Sequence, residues 1–310
     1  MARWPWWPKA DIADGAMAAV VLIWAANNVV VKAVLDELDP FAYILARFVI
    51  VVALVFSWLA LRRQLRPPRA ADLPAFLLAG LSGYAIYNAL FTVGLAHTSA
   101  FSVALLISLG PVFTLIFATV LGIERARPGQ WLGTAVAAAG VALFVGDKLV
   151  GGTGPGSSPA GDLLSLVAAA AFAVYSLATA PLVRRYGVVA ATAWSALVGL
   201  IAVAPFALPS AVRQDWVGLS PGAWGSLAYA AAISMLLAYS LWAWAIARHG
   251  VGRTVPYLFL IPVVTGILAA VFLGERFGPL KIGGGLLVLV GTALVRVGGK
   301  GGVPVVVGNE

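Results

Sequence analysis

Long apolar segments without charge constrain this chain more than any other feature of its sequence. Eight of them contain no Asp, Glu, Lys or Arg: residues 15–31, 73–95, 98–123, 128–146, 163–183, 186–212, 216–247 and 254–274. Two further segments each tolerate one charge, Arg47 within residues 41–61 and Lys281 at the start of residues 279–295. A helix needs about 20 mostly apolar residues to cross a hydrocarbon core of ~30 Å. The sequence therefore predicts ten membrane spans.

The spans are predicted to be helices rather than strands of a barrel. Backbone polar groups find no partner in lipid, so a spanning segment must be a helix or belong to a closed barrel. Barrel strands alternate apolar and polar residues, whereas these segments are apolar on every face. Only 10% of the 310 residues are charged, against about 25% in a soluble domain. An all-α membrane protein is the fold class that follows.

Positive charges divide unequally between the two sides of this ten-helix arrangement. Of the 20 Lys and Arg residues, fourteen fall in the loops and tails of one side, five on the other, and Arg47 inside a span. Cytoplasmic loops collect positive charge, so both termini are predicted to be cytoplasmic. Most of the net charge of +8 is this asymmetry, which leaves little to support a nucleic-acid partner. The basic residues within 62–69 are expected to contact anionic headgroups of the lipid bilayer.

The chain contains an internal duplication. Residues 107–125 align without a gap with residues 258–276, so that Pro111 matches Pro262 and the Glu-Arg pair at 124–125 matches the pair at 275–276. Each half holds five predicted spans, and an odd number requires the second copy to enter the membrane in the opposite orientation.

The domain organisation follows from this duplication. We predict a cytoplasmic N-terminal tail (residues 1–11), a first five-helix repeat (12–146), a periplasmic linker (147–161), a second five-helix repeat (162–297) and a cytoplasmic C-terminal tail (298–310). The linker is rich in Gly, Ser and Pro, a composition typical of flexible ties. Two inverted five-helix repeats are an architecture of secondary transporters, which place the substrate between the halves near the midplane.

The residues that the halves share resemble a known family. Both carry a Pro-Val-x-Thr motif followed by Glu-Arg and a Gly-rich helix, and the chain also has Trp24 to Asn27, Lys32 and Arg47. This pattern resembles the EamA branch of the drug/metabolite transporter superfamily over nearly the whole chain. One departure is that Tyr175 stands where the first half has Trp24, and Arg47 has no evident counterpart.

This resemblance implies export of small metabolites by alternating access in the bacterial inner (plasma) membrane. In length and layout the chain resembles the bacterial exporters of aromatic amino acids. The motifs specify the superfamily strongly and the cargo weakly, so purines or drugs stay open as alternative substrates. A membrane scaffold without transport also stays open, and monomer or homodimer is undecided.

Polar and aromatic side chains within the spans are the candidates for contact with a small-molecule substrate. Tyr84 and Tyr87 share a helical face, as do Tyr239 and Trp242. Rings would stack on an aromatic or apolar amino acid, while amides and hydroxyls bind its charged groups. The predicted substrate site comprises Trp24, Asn27, Asn28, Arg47, Tyr84, Tyr87, Asn88, Ser108, Tyr175, Tyr239, Trp242 and Tyr257. Any one of these aromatics has an alternative role in helix packing or at the membrane interface.

Arg47 is the only charge well within a predicted span. A central arginine costs about 2.5–3.5 kcal/mol on insertion scales. Three roles are open from the sequence: binding or gating a substrate carboxylate, reaching the interface with its long stem, or bonding a neighbouring carbonyl.

Pro111 and Pro262 are predicted hinge or kink positions, because a proline inside a helix removes the hydrogen bond to the carbonyl four residues earlier. Two symmetric kinks could line a cavity with Ser108, or could be structural bends whose hydroxyls bond back to the helix.

Several chemistries are not expected. No Asp or Glu lies deep in a span, which disfavours a carboxylate proton relay and leaves facilitated diffusion or exchange as the simpler mechanism. His97 and His249 fall in opposite loops and the chain has no cysteine, so neither a metal site nor a cofactor is predicted. An enzyme would need titratable groups clustered at depth, and only Arg47 lies there.

Overall fold

The computed structural model describes residues 12–123, 125–149, 158–249, 254 and 257–298. The predicted N-terminal tail, nearly all of the predicted C-terminal tail, Glu124 and residues 150–157 of the predicted linker lie outside the described residues. Throughout the described part the chain forms helices and no strand. The predicted all-helical fold is confirmed for that part of the chain.

The described part of the first repeat contains seven α-helices: α1 (Ile12–Lys32), α2 (Pro40–Leu61), α3 (Leu73–Ala79), α4 (Tyr87–His97), α5 (Ala100–Ile107), α6 (Gly110–Val120) and α7 (Pro128–Leu149). A 3-10 turn, Ala70–Asp72, precedes α3, and a π-helical segment, Gly80–Ile86, joins α3 to α4. Together they make one continuous run, Ala70–His97. Likewise α5 and α6 form the run Ala100–Val120, which is interrupted at Ser108 and Leu109.

The second repeat contains α8 (Pro159–Arg213), α9 (Pro221–Ala228), α10 (Ala238–His249), α11 (Leu260–Phe272) and α12 (Pro279–Gly298). A second π-helical segment, Tyr229–Leu237, joins α9 to α10. Within the 55 residues of α8 lies one non-helical residue, Gly187, with φ 76° and ψ 164°. Glycine adopts positive φ without steric cost, so the break falls where the sequence permits it.

Among the described residues, eight helical runs are long and apolar enough to cross a membrane: Ile12–Lys32, Pro40–Leu61, Ala70–His97, Ala100–Val120, Pro128–Gly146, Pro159–Arg213, Pro221–Trp242 and Pro279–Val297. A straight helix as long as α8 would extend about 80 Å at ~1.5 Å per residue, whereas the hydrocarbon core is ~30 Å thick. The break at Gly187 divides that length into two parts. Helix α11 is apolar but has only 13 residues.

Side-chain caps fix several helix starts. Asp39 accepts hydrogen bonds from the backbone N–H groups of Phe41 (2.8 Å) and Ala42 (3.2 Å) at the start of α2. Ser158 accepts from Gly161 N at 3.1 Å, and Ser220 accepts from Ala223 N at 3.2 Å. These are the positions at which a helix has spare N–H groups, and α2, α8 and α9 also have proline in the first turn. The residues at each of these helix starts therefore determine where the helix begins.

The last helices of the two repeats, α7 and α12, form the most extensive helix pair among the described residues. Gly133 and Gly140 on α7 face Gly291 and Gly284 on α12. A Cβ added at Gly291 would lie 2.3 Å from the backbone N of Ala137. Small residues let membrane helices approach to backbone contact, so these glycines join repeat to repeat within the chain.

Candidate functional site

One group of aromatic rings lies between α1 and α10. The Trp24 ring is centred 5.2 Å from the ring of Tyr239 and 6.0 Å from that of Trp242. Trp24 Nε1 donates to the carbonyl of Ser234, in the π-helical segment before α10, at 3.0 Å. Three residues predicted from the sequence therefore contact one another across the two repeats.

The two asparagines beside Trp24 have different surroundings. Asn28 Nδ2 donates to the Trp24 carbonyl at 3.0 Å and to Thr265 Oγ1 at 3.3 Å, while Thr265 Oγ1 donates to the Ala25 carbonyl at 3.4 Å. Asn28 thus ties α1 to α11. Asn27 Oδ1, in contrast, is inaccessible and has no hydrogen-bond partner among the described residues.

Arg47 of α2 is buried, with 4% of its surface exposed. Its guanidinium donates to Asn88 Oδ1, and Asn88 Nδ2 donates in turn to the carbonyl of Gly83 at 2.9 Å. The guanidinium carbon also lies 5.6 Å from the ring centre of Tyr43 and 5.5 Å from that of Phe48. Arg47 Nε has no partner, and no carboxylate of the described residues contacts this side chain. The structure therefore holds Arg47 inside the bundle rather than at the interface.

A second group of rings lies between α4, its preceding π-helical segment and α8. The ring of Tyr84 is centred 5.7 Å from that of Tyr175, and the ring of Tyr87 is centred 5.2 Å from that of Phe172. Phe172 and Tyr175, in turn, have ring centres 5.6 Å apart. These rings again join residues of the two repeats.

Arg47 adjoins the second group of rings through Phe48, whose ring centre lies 5.5 Å from the guanidinium carbon and 5.9 Å from the ring centre of Tyr84. The charge of Arg47 also interacts with the hydroxyls of Tyr87 and Tyr239, and Tyr239 belongs to the first group. We call this assembly the aromatic cluster: Trp24, Tyr84, Tyr87, Tyr175, Tyr239 and Trp242, with Asn27, Arg47 and Asn88 as its polar members. It is built from α1, α2, α4 with the π-helical segment before it, α8 and α10.

Two predicted substrate residues make other contacts. Ser108 Oγ donates to the Leu105 carbonyl at 2.6 Å, at the break between α5 and α6. Tyr257 donates its hydroxyl to Asp14 Oδ1 at 3.0 Å, near the start of α1. Pro111 and Pro262 occupy the first turns of α6 and α11, so both stand where their helical run resumes after an interruption.

The π-helical segments are features that the sequence reading missed. Residues 80–86 and 229–237 occupy corresponding places in the two repeats, each between two α-helices of one run. A Cβ at Gly83 would lie 2.2 Å from Tyr175 Cδ2, so glycine is required where this segment meets α8. The spacing of apolar residues in the sequence does not reveal a π-helical turn, which holds about one residue more than an α-helical turn. Such turns occur frequently at functional sites.

Four charged residues surround the turn that joins α4 to α5, and we call them the charged clasp. Lys32 Nζ donates to the carbonyls of Leu95 (2.8 Å) and Ala96 (3.1 Å), which closes the end of α4. Glu275 Oε1 accepts from the backbone N–H of Ala100 at 2.6 Å, which closes the start of α5. Thr98 Oγ1 donates to Asp162 Oδ1 at 2.7 Å, and Lys281 Nζ donates to Ser99 Oγ at 3.1 Å.

Lys281 is therefore not a loop residue, although the sequence placed it at the membrane edge. It is 5% exposed, and its Nζ lies 5.3 Å from the ring centre of Phe277, 5.7 Å from that of Phe144 and 5.9 Å from that of Phe101. Asp162 is 1% exposed. Lys281 and Asp162 both lie at helix starts. The sequence shows that these residues are charged but not that they are buried.

A different polar contact joins the start of α3 to the middle of α8. Arg185 donates to Asp72 Oδ1, and the Tyr186 hydroxyl donates to Asp72 Oδ2 at 2.6 Å. Tyr186 also accepts from the backbone N–H of Arg69 at 2.9 Å. These residues adjoin the break at Gly187, so the interrupted part of α8 is anchored to the first repeat.

An apolar crevice of about 400 Å³ lies apart from these polar sites. It is lined by Leu78, Phe117, Val120, Leu121, Ile123, Val174, Leu177 and Ala178. Val120, Leu121 and Ile123 are each more than half exposed. A surface of this composition suits contact with lipid rather than recognition of a polar solute.

Comparison with known proteins gives a consistent family assignment. The EamA-like transporter family matches residues 12–146 and again residues 159–297. A protein of Streptantibioticus cattleyicolor named "Probable terminal-alkyne amino-acid exporter" is 30% identical over 291 residues, covering 93% of this chain and 94% of that protein. A protein of Salmonella typhimurium named "Probable amino-acid metabolite efflux pump" is 27% identical and covers 90% of this chain and 93% of its own.

A solved crystal structure has the same fold. It superposes with a TM-score of 0.59 and covers 92% of this chain and 96% of that one, at 20% sequence identity.

Proposed function

This chain belongs to the EamA-like transporter family, and from that premise we propose that it exports amino acids, aromatic and other apolar ones foremost. The aromatic cluster is the observation that carries this proposal. It combines ring pairs that join the two repeats, Trp24–Tyr239 and Tyr84–Tyr175, with one buried guanidinium. Rings stack on an apolar or aromatic side chain, and a buried cation recognises a carboxylate.

We propose ten transmembrane helices in two inverted repeats of five. Ten result when α8 counts as two spans divided at Gly187 and α11 counts as a short one. The charged clasp supports the inversion, because the end of α1 and the start of α8 lie at the same turn. The first helix of one repeat therefore ends where the first helix of the other begins. Charge asymmetry between the loops supports a periplasmic position of the clasp in an inner membrane, with both termini in the cytoplasm.

Alternating access is the proposed mechanism, with the charged clasp as the gate on its side of the membrane. Glu275, Lys281 and Asp162 belong to the second repeat, and each binds the turn at 98–100 of the first. Parting the repeats at this end would break all three contacts. Pro111 and Pro262 remain the proposed hinges, because each stands at an interruption of its helical run.

The proposed substrate contacts are the residues predicted from the sequence: Trp24, Asn27, Asn28, Arg47, Tyr84, Tyr87, Asn88, Ser108, Tyr175, Tyr239, Trp242 and Tyr257. The contacts above support the members of the aromatic cluster most directly. The polar atoms of four of them already bond within the protein and would act on substrate only after those bonds change: Asn28, Asn88, Ser108 and Tyr257.

Counterflow in proteoliposomes tests the proposed function. We expect vesicles with the full chain to accumulate labelled phenylalanine and tryptophan against internal unlabelled amino acid, and unlabelled purines to compete poorly. Trp24→Ala should reduce the rate at least about tenfold, because it removes a ring that contacts two others in the site. Trp224→Ala is the matched control, since Trp224 is 48% exposed and outside the cluster. Transport no higher than in empty vesicles would disprove the proposed export of amino acids. If purines competed better than amino acids, the proposed substrate would be a purine instead.

A further inference from the structure

Three side-chain atoms of the aromatic cluster are inaccessible to solvent and lack a hydrogen-bond partner among the described residues. They are Asn27 Oδ1, Arg47 Nε and Trp242 Nε1. A buried polar group without a partner is costly, because it has lost its bonds to water and gained none. Such groups are uncommon in folded proteins and call for a specific reason, of which a role in binding is one.

The three residues are linked through the same rings. Trp242 lies 6.0 Å from Trp24 between ring centres, and Asn27 follows Trp24 by three residues on α1, which puts the two on one face. Tyr239 connects this region to Arg47, since its ring is 6.3 Å from that of Trp242 and its hydroxyl is within electrostatic range of the guanidinium.

The three atoms differ in their hydrogen-bonding roles. Arg47 Nε and Trp242 Nε1 are donors only, whereas Asn27 Oδ1 is an acceptor. An α-amino acid carries the complementary set, a carboxylate that accepts and an ammonium that donates. The ring of Trp24, on the same face of α1 as Asn27, adds a surface that attracts a cation.

We propose that Arg47 and Trp242 bind the carboxylate of the exported amino acid and that Asn27, backed by Trp24, binds its ammonium group. Asn88 is a positioning residue, because it holds the guanidinium from one side and is itself fixed to the Gly83 carbonyl. The site therefore selects zwitterions over amines and over simple carboxylates. This assignment rests on the proposed function and specifies the orientation of its substrate.

The assignment can be tested by measuring how well three unlabelled compounds compete with counterflow of labelled phenylalanine. All three carry a phenyl ring, and they differ in their charged groups. Phenylalanine has both charged groups, phenethylamine lacks the carboxylate, and 3-phenylpropionate lacks the ammonium. For the wild-type chain we expect phenylalanine to compete at least about tenfold better than either, the usual effect of a lost bond to a charged group.

Two near-isosteric variants should then separate the two ends of the substrate. Trp242→Phe keeps a ring and loses the N–H, so it should weaken phenylalanine and 3-phenylpropionate but leave phenethylamine unchanged. Asn27→Leu should weaken phenylalanine and phenethylamine but leave 3-phenylpropionate unchanged. This crossed pattern would not arise from a generally damaged fold. Trp244→Phe, on the same helix but 43% exposed, is the matched control and should change nothing.

Opposite results would overturn the assignment. Equal competition by phenylalanine and phenethylamine in the wild type would show that the site does not bind the carboxylate. If either variant weakened competition by all three compounds equally, the substituted residue would have only a structural role. If wild-type vesicles move no amino acid, the proposed function fails and this assignment with it. If they do move amino acids without discriminating these compounds, the assignment alone fails.

Discussion

Buried cations in this chain lie against aromatic rings. Arg47 has Tyr43 and Phe48 at 5.6 and 5.5 Å, and Lys281 has Phe277 at 5.3 Å as the nearest of three rings. A desolvated cation over a ring gains roughly 2 kcal/mol, which offsets part of the loss of its hydration. Aromatic residues therefore serve two purposes here, as walls for a solute and as surroundings that tolerate fixed positive charge.

At the same scale, Glu275 should control how readily the charged clasp opens. Glu275→Gln replaces the charged acceptor for Ala100 N with a neutral one, and bonds to charged groups are about twice as strong. We expect a cysteine at Ser102, fully buried behind the clasp, to react with a water-soluble thiol reagent about tenfold faster in this variant.

The control for this experiment is Asp215→Asn, since Asp215 bonds only the backbone of its own loop at Val217 and Gly218 among the described contacts to its carboxylate. It should leave the reaction rate of a cysteine at Ser102 unchanged. Equal rates in Glu275→Gln and the parent chain would mean that the clasp is not a gate.

At the scale of helices, the two repeats are joined by close contacts that leave no room for side chains. Gly133, Gly140, Gly284 and Gly291 bring α7 and α12 to backbone contact, and Gly199 of α8 lies against Tyr84 in the same way. The π-helical segments add a local change of direction at corresponding places in both repeats. Helices α7 and α12 thus pack backbone to backbone, which joins the last helices of the two repeats.

Glycine substitutions should separate packing positions from open ones. Gly291→Ala would place a Cβ 2.3 Å from the backbone N of Ala137, so the helices must move apart. We expect a loss of stability of about 1–3 kcal/mol, typical of overpacking, measured as a lower unfolding temperature in detergent. The same change at Gly15, where nothing lies within 4 Å, should be neutral or stabilising by up to about 1 kcal/mol. Equal effects at both positions would contradict the close packing of α7 and α12.

For the molecule as a whole, orientation determines whether a passage can form between the repeats. Polar contacts collect at separate places along the bundle, with the clasp at the end of α1 and the Tyr257–Asp14 bond at its start. Two copies in opposite orientation would enclose the aromatic cluster between these ends. Two copies in the same orientation would not be related by a pseudo-two-fold axis in the membrane plane.

Single-cysteine labelling tests this orientation directly, because the chain contains no cysteine of its own. Ile123 and Arg276 follow corresponding helices of the two repeats and are both exposed. We expect a membrane-impermeant maleimide added to intact cells to label a cysteine at Arg276 and to leave one at Ile123 unlabelled until the membrane is opened. Labelling of both from outside would show that the repeats are not inverted.

The members of the site could be predicted in part from the sequence. Aromatic and amide residues within apolar spans are visible in one dimension, and Trp24, Tyr239 and Trp242 do contact one another. The bond between Arg47 and Asn88 was not predicted, because it depends on how α2 and the run through α4 are rotated against each other. The sequence predicts Lys281 at the start of a span but does not show that it is buried, and the burial of Asp162 is likewise visible only in the structure.

The sequence by itself determined the helical class, the position of the apolar runs, the duplication and the family. These properties depend on hydropathy and motifs that are read locally along the chain, because lipid imposes the same requirement on every span. Only the tertiary structure decided which polar groups pair and which are left without a partner. Those outcomes depend on helix rotation and on contacts between residues far apart in the chain, such as Asn28 and Thr265, separated by 237 positions. No local pattern encodes such a distance.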